Sequence, residues 1–225
     1  MHGWTIHATD GVIGAIDELL FDDERWTVRY LVVETGNWLS GRKVLLSPLS
    51  FGALNHDAQT LHVNLTREKI QNSPSVKTDE PVARRREGYS FDYDALPRSW
   101  SEEEKSAEYR AKLHLRSTKE VSGYGIVASD GRLGHIEDFL IDDETWKIDY
   151  LSVDTRDWLP GARILLSSAW IDAVSWTGRS VTVHATRDEI KNVPEWVRDV
   201  PIEAAFEARL RAFYNVRRTP FPHEG

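Results

Sequence analysis

The stretch Phe21–Ser47, FDDERWTVRYLVVETGNWLSGRKVLLS, decides the fold, because the chain repeats it as Ile141–Ser167, IDDETWKIDYLSVDTRDWLPGARILLS. Each copy opens on an acidic turn, runs through β-branched and aromatic residues, and closes on a tryptophan loop followed by LLS. The middle run, Thr27–Glu34 in the first copy, suits a pleated, half-buried surface and is read as a strand. A displacement of 120 residues carries the match outward: Gly3–Pro74 aligns with Gly123–Pro194 without a gap, and 29 of the 72 positions are identical. Self-similarity of this extent is an internal duplication, so two similar folding units are expected.

Around the central run the pattern has a period of two and is punctuated by turn residues. Gly3–Thr9 reads as a first strand, Asp10-Gly11 as a hairpin turn able to take positive φ, and Val12–Phe21 as a second strand. Lys43–Ser47, Leu49–Asn55 and Thr60–Leu65 complete six. In the last of these Leu61, Val63 and Leu65 share the core face, as do Val181, Val183 and Ala185 in the second copy. Thr66 and Thr186 then have the character of N-caps, each opening a short helix with acids in its first turn. Six short antiparallel strands in about 70 residues bury little unless they curl into a small barrel, which also removes exposed edges.

Four segments follow: a first barrel at 1–75, a linker at 76–119 with a helix predicted over Glu102–Leu115, a second barrel at 120–196, and a C-terminal helix and tail at 197–225. In the last segment Ile202, Phe206, Leu210 and Phe213 fall on one face of an amphipathic helix. The duplication predicts a pseudo-twofold pair of barrels within the chain, and a homodimer is a further possibility of the same isologous kind.

The totals narrow the function classes. With 40% hydrophobic and 28% charged residues the composition is that of an ordinary globular protein. Cysteine is absent, so disulfides, thiolate metal sites and cysteine nucleophiles are excluded. No apolar run approaches the roughly 20 residues of a spanning helix, and Met1 leads into HGWTIHATDG rather than an export signal; a cytoplasmic protein away from the membrane is the expectation. A net charge of −8 disfavours nucleic acid unless positive charge is gathered locally, and points to protein partners.

The pattern DGxxGxxxxxLxDDExWxxxYLxVxTxxWLxGxxxLLS underlies Asp10–Ser47 and Asp130–Ser167, and it resembles the PRC-barrel family, in a tandem form of a bacterial branch. That family takes its name from the cytoplasmic domain of the photosynthetic reaction-centre H subunit and includes the C-terminal domain of a ribosome-maturation factor. The resemblance covers both repeats, about two thirds of the chain. It implies a small β-barrel used to dock onto proteins; joined to the strand and helix pattern above, the expected fold is mainly β, two small six-stranded antiparallel β-barrels with short helices and a helical connecting segment. It implies no catalytic residues and no cofactor.

Residues able to carry chemistry are few. The acidic turns Asp22, Asp23, Glu24 and Asp142, Asp143, Glu144, with Asp17, Glu18, Glu137 and Asp138 just before them, are oxygen-rich and form the candidate divalent-cation site of a sensory or stress-related protein. The competing reading is a hairpin turn capped by its own side chains. Trp26 and Trp146 read as lids on the core. Trp38 with Leu39, and Trp158 with Leu159, form the candidate protein interface, since tryptophan beside an apolar residue on a loop is a typical anchor. His7, His62, His135 and His184 lack paired zinc-ligand spacing and read as strand or surface histidines. Arg84, Arg85 and Arg86, close to Tyr89, Phe91 and Tyr93, are the candidate RNA contact. No GxSxG, GxxxxGK[ST] or GxGxxG motif is present, so a non-enzymatic adaptor is the expectation.

Overall fold

A computed structural model of the chain describes residues 1–72, 115–155, 159, 163–175, 177–197, 200 and 202–215. The chain is mainly β and divides into two compact units. The first comprises Met1–Val121 together with Ile141–Ile148, and the second Ser122–Leu140 with Asp149–Gly225. The acidic turn of the second copy, residues 141–148, is built into the first unit.

In the first unit the strands are Thr5–Ala8 (β1), Gly11–Asp22 (β2), Thr27–Glu34 (β3), Lys43–Leu46 (β4), Phe51–Asn55 (β5) and Thr60–Val63 (β6), followed by the helix Arg67–Gln71 (α1). Leu115–Ser117 (β7) and Thr118–Val121 (α2) close the unit. Its sheet runs β4-β3-β2-β1-β6-β5, with β7 added on β2. The second unit repeats this with Gly125–Ala128 (β8), Gly131–Ile141 (β9), Ile148–Asp154 (β10), Arg163–Ser167 (β11), Ile171–Ser175 (β12), Ser180–Val183 (β13), Arg187–Ile190 (α3) and Ala204–Asn215 (α4). The order is β11-β10-β9-β8-β13-β12.

Three expectations need correction. The sheets are not wholly antiparallel: β1 pairs with β6, and β8 with β13, in parallel register, because the first and last strands of each copy meet side by side and run the same way. The first sheet has seven strands, since Leu115, expected to end a helix, instead opens the strand Leu115–Ser117, which pairs with Leu20–Asp22. The fifth strand starts at Phe51 rather than Leu49, because Ser47 caps a 3-10 turn at Pro48–Ser50 that leaves Leu49 96% exposed. In addition, among the described residues no ladder joins β5 back to β4, and the hydrogen-bonded path ends on those two strands. Residues 102–114 of the expected connecting helix lie outside the described residues.

Local chemistry explains the recurring corners. Gly11 takes φ 143° in the hairpin turn, a conformation that glycine adopts without steric cost. Arg67, the first residue of α1, clamps that turn from across the sheet. Its amide donates to Asp10 Oδ1 at 2.9 Å and its guanidinium donates to the Val12 carbonyl from Nε at 3.1 Å and Nη2 at 2.5 Å. Arg187 does the same with Asp130 and the Arg132 carbonyl, so the arginine kept at both positions is a fold determinant. Thr66 caps α1 by accepting from the Lys69 amide, and Thr186 forms a full capping box with Glu189.

The core follows the alternation except at Leu65, which is only half-buried. Leu61, Val63, Val181, Val183 and Ala185 are buried, whereas His62 and Thr182 are exposed. The long strand β2 bends at two register shifts, between Ile16 and Glu18 and between Leu20 and Phe21. Such bulges bend the strand and locally increase its twist.

The C-terminal helix α4 packs in the second unit with Leu210 and Tyr214 buried. Tyr214 donates its hydroxyl to the Leu165 carbonyl at 2.6 Å and meets Trp170 edge-on at 4.8 Å. Burial pushes the Tyr214 phenol well above its ordinary 10.0, and burial, aided by the Asp149 charge, also raises Tyr150. The unfolded chain releases these protons near pH 10 and the folded chain retains them, so stability is full below pH 10 and falls as the pH rises further. Chemical denaturation between pH 8 and 11 should show this decline, and Tyr214→Phe should flatten it while costing about 1 kcal/mol at pH 8 for the lost hydrogen bond.

Candidate functional site

The acidic turns are built as capped turns. Asp22, 1% exposed, accepts at Oδ1 from the amides of Glu24 (3.0 Å) and Arg25 (3.2 Å), and at Oδ2 from Arg29 (2.9 Å). Asp142 repeats the motif with the amides of Glu144 (3.2 Å) and Thr145 (2.7 Å) and with the Thr145 hydroxyl (2.6 Å). The first aspartate of each run therefore caps its own turn, one carboxylate oxygen accepting two backbone amides. Asp23 is paired with Arg116 of β7 at 2.5 Å, and Asp143 approaches His56 Nε2 at 3.2 Å. Backbone amides, arginine guanidinium groups, a threonine hydroxyl and a histidine ring thus stand against Asp22, Asp23, Asp142 and Asp143, four of the carboxylates proposed from sequence as metal ligands. Glu24 and Glu144 point to the exposed side of their turns.

Asp17 and Glu18, just upstream, are split by the bulge in β2. Asp17 pairs with Lys43 (3.0 Å) and Lys119 (3.3 Å). Burial alone would raise this carboxyl, but the two ammonium groups outweigh it and hold the group below the usual carboxylate range. Glu18 is buried and accepts from the Ser117 hydroxyl.

Trp26 and Trp146 follow the turns in left-handed backbone, at φ 53° and 59°. A bulky residue is unusual there, and burial of the indole offsets the strain. Trp26 stacks on Phe21 with ring centroids 5.1 Å apart, and Trp146 meets Phe51 at 4.5 Å. Inside the first unit the Val28 amide donates to the Trp146 carbonyl (2.8 Å) and the Ile148 amide to the Trp26 carbonyl (2.6 Å), flanking a Thr27–Lys147 antiparallel bridge. Val28 and Ile148 are equivalent positions of the repeat, as are Trp26 and Trp146. The two turns therefore exchange the same bond in both directions.

The loop Gly36–Leu39 is a 3-10 turn closed by Ser40 and Gly41 in left-handed conformation. Trp38 is half-buried: its indole N–H donates to the Ile13 carbonyl, and the Arg67 guanidinium lies 5.5 Å from its ring centroid. The polar handle of the proposed anchor is thus committed to its own unit, leaving Leu39 and the flanking exposed residues Gly36, Asn37 and Ser40 as the outer surface of the loop. Leu159 is half-buried, and Trp158 lies outside the described residues, as do Arg84, Arg85 and Arg86.

The structure brings together two histidine groupings that spacing did not reveal. His7 and His62 face each other across the parallel β1–β6 pair, with ring centroids 5.1 Å apart. In the second unit His135, Glu137 and Asp154 converge. Each grouping joins different strands, so linear spacing alone carries no signal for either. No helix among the described residues is long and apolar enough to cross a membrane.

No protein-family model matches this chain, and no curated protein matches it significantly.

Proposed function

We propose that this chain is a non-catalytic, cytoplasmic docking protein of the PRC-barrel type, with one barrel per repeat and with the duplicated acidic turns serving as contact elements within the first unit. The observation that carries the reading is the reciprocal main-chain exchange between Trp26–Val28 and Trp146–Ile148. Within the first unit, equivalent residues of the repeat thus meet in both directions, the local pattern of an isologous contact. The bulges that coil β2 support a barrel-like curl for the sheet. In this reading the duplicated turn was kept as a contact element, and its carboxylates serve to shape it.

The outward contact is assigned to Leu39 and its equivalent Leu159, on the loops that follow the central strands. The test compares the wild-type chain with the Leu39→Asp/Leu159→Asp variant by cross-linking mass spectrometry in native extract. A recurrent partner cross-linked at residues 36–41 should be lost in the variant while the thermal midpoint stays within about 3 °C, the shift expected below 1 kcal/mol for a chain of this size. Retention of that partner at the same site would sink the docking assignment. Hydrolysis or group transfer in a substrate screen, abolished by one point substitution, would sink the non-catalytic one.

A further inference from the structure

We propose that the second unit binds one divalent transition-metal ion between His135, Glu137 and Asp154. His135 and Glu137 are two residues apart on β9, which places them on the same side of the strand, and Asp154 ends the neighbouring strand β10. One ligand atom from each of the three lies within 4.8 Å of the others, and His135 Nε2 is 3.9 Å from Asp154 Oδ2. Ligands bound at about 2.1 Å to a common ion sit about 3.0–3.5 Å apart, so inward motion of about 1 Å closes the set. One imidazole with two carboxylates favours zinc or manganese over calcium or magnesium, which take all-oxygen shells.

The surroundings suit a ligand site. Arg163 holds Glu137 through Nε–Oε2 (2.7 Å) and Nη2–Oε1 (3.3 Å), orienting the carboxylate while leaving lone pairs on both oxygens. A Cβ on Gly134 would lie 1.9 Å from the Asp154 carbonyl oxygen, so the two strands approach closely at the residue before His135. Asp154 is 3% exposed and lies within ion-pair distance of His135.

The first copy is an internal control. Its equivalent positions hold Ala15, Asp17, Glu34 and Lys43. The cation–carboxylate pair is present there too, as Lys43–Asp17 at 3.0 Å, so that pair is scaffold common to both units. What the second copy adds is histidine in place of alanine and a buried aspartate in place of an exposed glutamate. Those two changes complete a ligand set in one copy only.

The experiment is calorimetric titration of the full chain with Zn²⁺, Mn²⁺ and Mg²⁺, comparing wild type, His135→Ala, Asp154→Asn and the His7→Ala/His62→Ala double variant. His135→Ala installs the residue that the first copy carries at the same place, so the fold is preserved, and circular dichroism checks it. One Zn²⁺ site per chain is expected, at least 10-fold weaker in His135→Ala and Asp154→Asn, unchanged in the double variant and not matched by Mg²⁺. Absence of heat at millimolar Zn²⁺, unchanged affinity in His135→Ala, or loss confined to the His7/His62 variant would each overturn the proposal.

Discussion

Gly14→Ala is expected to destabilise the first unit by about 3 kcal/mol, the upper end of the usual cost of forcing atoms into a packed site. A Cβ at Gly14 would lie 1.9 Å from the Glu34 carbonyl oxygen and 2.9 Å from both Glu34 C and Thr35 Cα. All three are backbone atoms, so no side chain can swing aside; β2 and β3 must separate where Ala15 pairs with Glu34. Gly134→Ala meets the Asp154 carbonyl at the same 1.9 Å and carries the added strain of φ 143°. Gly3→Ala is the matched comparison, since nothing lies within 4 Å of its Cβ and only a backbone cost of about 1 kcal/mol arises from φ 80°. Urea denaturation of the three variants ranks them. A Gly14→Ala midpoint at or above that of Gly3→Ala would show that the strand approach is not as tight as the geometry requires.

Trp146→Ala should cost about 3–5 kcal/mol, the range for removing a large aromatic side chain from a core. Trp146 is 7% exposed and its ring packs edge-on against Phe51. It belongs to the segment 141–148 that the second copy contributes to the first unit, so its loss releases more than one side chain. The Val28 amide, which donates to the Trp146 carbonyl, and the Ile148 amide, which donates to Trp26, should exchange hydrogen faster in the variant. Trp38→Ala provides the scale: a half-buried ring with one indole hydrogen bond should cost about 1–2 kcal/mol. Equal losses for the two tryptophans, with Val28 exchange unchanged, would show that the turn is not anchored by its indole.

These two sites illustrate why some of the chain was legible and some was not. Thr27–Glu34 was readable to the residue because a β-branched run half-buried in a sheet needs only local pattern to specify it. The Thr66 and Thr186 caps were readable for the same reason, since the capping bond closes within three residues. The acidic turns were legible as turns, and their carboxylates invited a metal reading. Only Arg116, arriving from 93 positions beyond Asp23, shows that a protein cation stands beside that carboxylate.

The candidate ligand set shows the same limit. Glu137 stood within the acidic run, but His135 and Asp154 are 19 residues apart, a separation with no signature of its own. Adjacent strands bring them together. Likewise, the parallel β1–β6 pairing that sets His7 against His62 depends on where the chain returns after four intervening strands.

Sequence alone determined that the chain is duplicated, where the central strand Thr27–Glu34 runs, which face of the last strand of each copy turns inward and where the capped helices at Thr66 and Thr186 begin, because period, β-propensity and capping act over a few residues. Tertiary structure decided the strand order, the parallel closing pair, the placement of residues 141–148 in the first unit, and the partners of each carboxylate. Those depend on groups distant along the chain, whose meeting is set by packing and backbone pairing across the whole sheet rather than by any neighbouring residue.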